Sequence, residues 1–166
     1  MTDSIPDGVH RASWDEYFLD IARATATRAT CSRRQHGAVI VQERRIVSTG
    51  YNGGPSGYGH CTDGFCPRAS SDAPQGHDYE HCIAIHAEAN ALLFASPEER
   101  QDAVLYCTGA PCFTCAKLIS NSGVAEVVAA GGRYEDWERT RTFLLDAGVR
   151  VRLLDGHEDQ HTLPVR

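Results

Sequence analysis

Hydrophobic positions along this chain change period several times, and each change marks an element. Ser13 followed by Glu16 is a capping box ahead of Tyr17, Phe18, Ile21, Ala22 and Ala24, a helical apolar series that predicts a first helix over 14–29. The period then drops to that of a strand. Ala38-Val39-Ile40-Val41 and Ile46-Val47-Ser48-Thr49 are short β-type runs either side of Gln42-Glu43-Arg44-Arg45, which reads as a hairpin. From residue 50 to about 79 apolar periodicity almost vanishes in favour of Gly, Pro, Ser and Asp, so the chain makes a long irregular excursion. An excursion of that length inside a small domain is usually functional or stapled.

Beyond it the pattern alternates. A helix is expected over 86–95, a buried strand over 103–108, a helix over 112–121 stopped near Gly123, and a strand over 124–130. A last helix over 136–147 ends at Gly148 ahead of a strand over 149–154, and residues 155–166 read as a tail behind a single domain over 1–154. Helix, hairpin, then strands alternating with helices predicts an α/β fold. Its expected form is three layers, α/β/α, around a five-stranded mixed sheet flanked by helices, with the strands after the hairpin parallel.

Composition narrows the function classes. The 166 residues carry 16 Lys and Arg against 22 Asp and Glu, a net charge of −6, which disfavours broad binding to a phosphate backbone. No apolar run approaches the length of a membrane span, and the polar start MTDSIPDGVH lacks the layout of a signal peptide, so a cytoplasmic protein is expected. Seven cysteines are many for such a chain, and in a reducing compartment they are metal ligands or buried thiols before they are disulfides.

Two short motifs give part of that supply a purpose. His86-Ala87-Glu88 opens one expected helix and Pro111-Cys112-Phe113-Thr114-Cys115 opens the next. Alone, an HxE is commonplace, and a CxxC serves equally as a redox pair or as half of a structural zinc site. Together they supply one imidazole and two thiolates, leaving the fourth tetrahedral position of a zinc ion open as catalytic sites require. Glu88 stands where it reaches a metal-held water without ligating the metal, and zinc brings the pKa of such a water to about 7. HxE with PCxxC is the signature of zinc deaminases.

At these residues the sequence resembles the cytidine and deoxycytidylate deaminase superfamily, and within it the deoxycytidylate (dCMP) deaminases. The matching stretches are CSRRQHGAVIV from Cys31, STGYNGGPSG from Ser48, HAEANALL from His86, and PCFTCAKLI followed by SNSGV from Pro111. Deaminases of tRNA adenosine share HAE and PCxxC but are not expected to carry the GYNG segment. Riboflavin-pathway deaminases carry a longer cysteine spacing and a second domain.

The resemblance implies a cytidine deaminase-like fold, zinc, and hydrolysis of a cytosine nucleotide to the uracil nucleotide with release of ammonia. It makes His86, Cys112 and Cys115 the ligands of a catalytic zinc and Glu88 the proton carrier. It places Asn52 at the sugar, Arg33 (with Arg34 adjacent) at the 5′-phosphate, Ala87 among the substrate contacts, and Tyr134 over the nucleotide. Each has a structural alternative: turn chemistry for Asn52, a solvated helix end for the arginines, packing for Tyr134. Cys31, Cys61, Cys66 and Cys82 fall where relatives hold a second, structural zinc, with His81 or His77 as replacements for one of them and free thiols as the alternative. Cys107, in a buried strand, reads as an inert core thiol.

The sequence departs from the family's pattern at Gly109-Ala110, at His36 and over 67–79, which leaves the choice open between dCMP, dCTP, CMP and a 5-substituted dCMP. The family also implies a homo-oligomer and regulation by dCTP and dTTP. Rival classes are a nucleic-acid editing deaminase, opposed by the acidic charge, and a zinc-stapled scaffold without activity, opposed by Glu88.

Overall fold

The computed structural model describes residues 11–74, 77–132 and 136–154. Helix α1 spans Trp14–Ala26, and its capping box forms as the sequence predicts: Glu16 N–H donates to Ser13 Oγ at 3.2 Å and Ser13 N–H to Glu16 Oε2 at 2.7 Å. The helix stops three residues before the expected 29, because Thr27 and Ala29 turn their N–H groups onto Ala24 and Ala26 carbonyls and tighten the last turn. Strands β1 (Gly37–Gln42) and β2 (Arg45–Tyr51) follow. Glu43 and Arg44 join them with φ of 48° and 61°, a two-residue turn shorter than the four-residue connection read from the sequence.

The remaining elements are α2 (Ala87–Leu93), α3 (Pro97–Arg100), β3 (Val104–Cys107), α4 (Phe113–Ser120), β4 (Glu126–Ala129), α5 (Trp137–Asp146) and β5 (Arg150–Leu153). The sheet order is β2-β1-β3-β4-β5, with β1 antiparallel to both neighbours and β3, β4 and β5 parallel. This is the expected five-stranded mixed sheet. Strand β1 is apolar on both faces because both are covered. Ala38 and Ile40 face a cluster with Ala91 of α2, Ile119 of α4 and Leu144 of α5, while Val39 and Val41 face Phe18, Leu19 and Ala22 of α1.

Register fixes where chemistry can gather. Gly37 pairs with Tyr51, and Ala38 with Cys107, so the start of β1 and the ends of β2 and β3 share one edge of the sheet. Gly50 lets α2 sit hard on that edge, since a Cβ there would overlap the Ala87 carbonyl oxygen and the Ala91 nitrogen. Buried Asn52 braces the same edge. Its Oδ1 accepts from His36 N–H at 2.7 Å and its Nδ2 donates to the Arg34 carbonyl at 2.9 Å.

The excursion after β2 is irregular as expected, with short 3-10 turns at Cys61–Asp63 and Tyr79–His81. Long-range ties hold it: Thr62 N–H to the Thr30 carbonyl at 3.2 Å, a bridge between Gly53 and Ile85, and Arg33 to the carbonyls of Arg68 (3.3 Å) and Ala73 (2.6 Å). No helix among the described residues is long and apolar enough to cross a membrane.

Candidate active site

His86 and Cys112 occupy equivalent places. Each is the extended residue just before a helix, α2 and α4, and neither spends its side chain on capping it. The side chains meet instead. His86 Nδ1 lies 3.5 Å from Cys112 Sγ and 3.4 Å from Sγ of Cys115, one turn into α4. All three ligand atoms fall within 4.8 Å of one another.

Their protonation is shared. Cys112 is held down at about 4, first by the hydrogen bond from Cys115 and then by that from His86, and the same bonds push Cys115 and His86 up. Ligands that compete in this way for the same protons are ones from which a divalent cation displaces them. One imidazole nitrogen and two sulfurs form a borderline-soft donor set that fits zinc.

Glu88, in the first turn of α2, is only 8% exposed. Burial pushes its carboxyl above the ordinary range while the His86 charge pulls it back, the condition of a carboxyl able to take up and return a proton. Burial, and after it the charge of Glu88, pushes the Cys107 thiol well up, in keeping with an inert core residue. A cavity of about 770 Å³ reaches the trio and is lined by Tyr79, Ile85, His86, Cys112, Phe113 and Cys115 among others. Its size suits a small organic ligand.

The other residues singled out from the sequence divide. Asn52 and Ala87 lie at the same edge of the sheet as Glu88, both buried, and Asn52 keeps one amide N–H and one lone pair beyond its two backbone bonds. Arg33 is directed into the excursion by two of its donors. Tyr134 lies outside the described residues. Cys61, Cys66 and Cys82 lie near enough to shift one another's thiols, and Cys31 acts electrostatically on Cys61 and Cys82, but among the described residues these four are not drawn within 4.8 Å of one another as the His86 trio is. Burial and the neighbouring thiols raise Cys61 to about 12. His81 stands with Asp78 and Glu80 in an exposed group.

Sequence reasoning missed residues that only the tertiary arrangement brings in. Tyr79 lines the cavity, and Phe113 does so beneath the Arg139 guanidinium, 4.0 Å from its ring centre. Thr108, at the end of β3, accepts from Gly37 N–H at 3.1 Å and faces His36 Nδ1 at 3.4 Å. No local pattern marks these positions; the signal lay only in their nearness to HAE and PCxxC.

The family model for the cytidine and deoxycytidylate deaminase zinc-binding region matches residues 12–131. A deoxycytidylate deaminase of Mycobacterium phage D29 is 49% identical over 123 residues, 71% of this chain and 94% of the phage protein. A deoxycytidylate deaminase of Schizosaccharomyces pombe is 41% identical over 143 residues, and that of Saccharomyces cerevisiae likewise. The chain spans under half the length of these two, 44% and 45%. Among solved structures, the dCMP deaminase of cyanophage S-TIM5 in complex with dCMP and dUMP has a TM-score of 0.66 at 24% identity, covering 88% of this chain and 100% of that one, a likeness of fold. With the ligand trio and the acidic residue beside it all inside the matched region, the chain belongs to the cytidine and deoxycytidylate deaminase family.

Proposed function

We infer that this protein hydrolyses deoxycytidylate (dCMP) to dUMP with release of ammonia. The observation that carries the reading is a buried Glu88 two residues from His86, in a trio with Cys112 and Cys115 beside a cavity of nucleotide size. The phage relative, matched over nearly its whole length, carries the name of that activity. His86, Cys112 and Cys115 would hold the zinc, which when bound would supply the Lewis acidity that makes water a nucleophile near neutral pH. Glu88 would take a proton from the attacking water and deliver it to N3 of the ring as the new C4–O bond forms. It would then take the proton of the new C4 hydroxyl and pass it to the exocyclic amine as the C4–N bond breaks and C4=O forms, so that ammonia leaves and the carboxylate is restored.

In this reading the spare amide groups of Asn52 meet the sugar, and Ala87 offers its backbone to the base. The remaining donors of Arg33 face the phosphate while it pins the excursion, and Tyr134 closes over the nucleotide. Cys31, Cys61, Cys66 and Cys82 hold a second, structural zinc, a reading supported by their positions along the sequence and by the proximity of Cys61, Cys66 and Cys82. The protein works in the cytoplasm on free nucleotides, as a homo-oligomer for which Leu93 and Phe94, 69% and 78% exposed, offer apolar surface. Regulation by dCTP and dTTP belongs to the same reading, and adding each at sub-saturating dCMP checks it.

The deciding experiment is a panel of dCMP, CMP, dCTP and deoxycytidine followed by ultraviolet absorbance, with Glu88→Ala as control. Loss of the dCMP signal with the parent and none with the variant is expected. Equal rates in both would remove Glu88 from the chemistry, and uracil formed in tRNA or single-stranded DNA, or inosine in tRNA, would move the substrate to polynucleotide.

A further inference from the structure

The stretch over 67–79 matches no motif, yet it contains an unusual buried cation. Arg68 is 6% exposed. Its Nε donates to the His77 carbonyl at 2.7 Å, its Nη2 to the Pro74 carbonyl at 3.2 Å, and its guanidinium carbon sits 4.3 Å from the centre of the Tyr79 ring. Among the described residues its partners are thus two carbonyl oxygens and an aromatic face, with no carboxylate. Burying a guanidinium against carbonyls and a ring in place of a carboxylate is costly, and the bonds that offset the cost also fix what surrounds it. What it fixes is the Pro74 and His77 carbonyls and, beside them, the Tyr79 ring.

One face of Tyr79 is taken by Arg68, and the surface left over, with the residue 38% exposed, forms part of the cavity that holds His86, Cys112 and Cys115. Arg33 holds the base of the same stretch through the carbonyls of Arg68 and Ala73, so the ring is tied back to the segment just before β1. A ring fixed in place at the wall of a site for a planar base costs little ordering entropy when the ligand packs on it. The cation behind it also adds positive charge beside an anionic ligand, in a chain whose net charge is −6.

We propose that Tyr79, seated on Arg68, is a positioning residue on which the bound pyrimidine nucleotide packs. The proposal rests on the deaminase reading of the site and adds a wall to it that HAE and PCxxC do not contain. Aromatic stacking acts through the ring and not the hydroxyl, which separates the conservative change from the truncating one.

The test is equilibrium dialysis of dUMP, the expected product, against zinc-loaded parent, Tyr79→Phe, Tyr79→Ala and Arg68→Met, with melting temperature and zinc content measured on each. Tyr79→Phe is expected to bind within about twofold of the parent and Tyr79→Ala to bind about tenfold more weakly. Melting temperature and zinc content should be unchanged in both. In turnover of dCMP, Tyr79→Ala should raise KM by the same factor and leave kcat nearly intact. Arg68→Met should weaken dUMP binding less than Tyr79→Ala if it folds, and the two Tyr79 variants decide the matter if it does not. Equal binding by parent and Tyr79→Ala overturns the proposal, as does a loss of binding that tracks a loss of melting temperature or zinc. Failure of the parent itself to bind dUMP overturns the reading of the site, which distinguishes the two failures.

Discussion

Replacing Gly50 by alanine tests whether close seating of α2 on the sheet is what places His86 and Glu88. The added Cβ would overlap the Ala87 oxygen and the Ala91 nitrogen and come within 3.0 Å of the Ala91 Cα, whereas ordinary contact begins at 3.4 Å. All three obstacles are backbone, so no rotamer relieves them, and strand and helix must part by about 1 Å. Overpacking of this kind costs about 3 kcal/mol, which for a domain of this size lowers Tm by roughly 6–12 °C. The helix that moves is the one carrying Glu88, and a misplacement of about 1 Å costs about 10²-fold in rate. Thermal unfolding followed by circular dichroism, together with kcat/KM for dCMP, reads both effects. Gly148→Ala is the control: its φ of 83° strains an alanine, but nothing lies within 4 Å of the new atom. It should cost about 1 kcal/mol and leave kcat/KM alone. A Gly50→Ala protein that melts and turns over like the parent would refute the claim that this contact sets the helix.

Three further outcomes follow from the same structure. Glu88→Gln keeps the volume of the side chain but not its proton chemistry, so kcat should fall by about 10²–10⁴ while Tm holds or rises, a buried carboxylate having been neutralised; turnover within tenfold of the parent would contradict this. The hydrogen bond from Arg152 keeps the Asp15 carboxyl below the ordinary carboxylate range, against the opposing pull of burial. A folded-state pKa depressed in this way contributes stability above the unfolded value of about 3.9 and loses it as pH falls through the folded value. The acid limb of Tm against pH should therefore be shallower in Asp15→Asn than in the parent, and parallel limbs would count against the ion pair. Finally, Cys61→Ser should lower metal content from about two zinc ions per chain to about one and open the excursion to proteolysis; unchanged zinc would return the four cysteines to free thiols.

What could be read from the sequence was whatever the chain states locally. The capping box at Ser13 and Glu16, the apolar β runs, and the HAE and PCxxC stretches each lie within a few residues of their own consequences, and each formed where expected. Helix α3 was not anticipated although Ser96 and Glu99 form a capping box around Pro97, because a single turn has no periodicity to reveal it. The hairpin formed over 42–45 as read, but its turn is tighter than the sequence suggests, since neither Glu43 nor Arg44 is the Gly or Asn that usually accepts a left-handed backbone. The excursion was legible only as an absence of pattern. Its order comes from bonds that cross 35 and 40 residues, from Arg33 to Arg68 and Ala73, and such pairings leave no trace in spacing.

Asn52 shows why a choice between a structural and a functional role can be a false one. Its side chain bonds the backbone at His36 and Arg34, its own N–H reaches the His36 carbonyl at 3.2 Å, and its carbonyl accepts from Thr30 N–H at 3.1 Å. These four bonds join the end of β2 to the segment that leads from α1 into β1, at the edge of the sheet where α2 begins. An amide with two lone pairs and two N–H groups retains one of each after bracing that edge. A residue fixed by its backbone partners points its remaining groups in one direction, which is what a contact to a sugar requires. In the structure Asn52-Gly53 forms no tight turn, Gly53 being bridged to Ile85, so the order at Asn52 comes from these long-range bonds, and under the proposed function they would fix its spare groups toward the sugar.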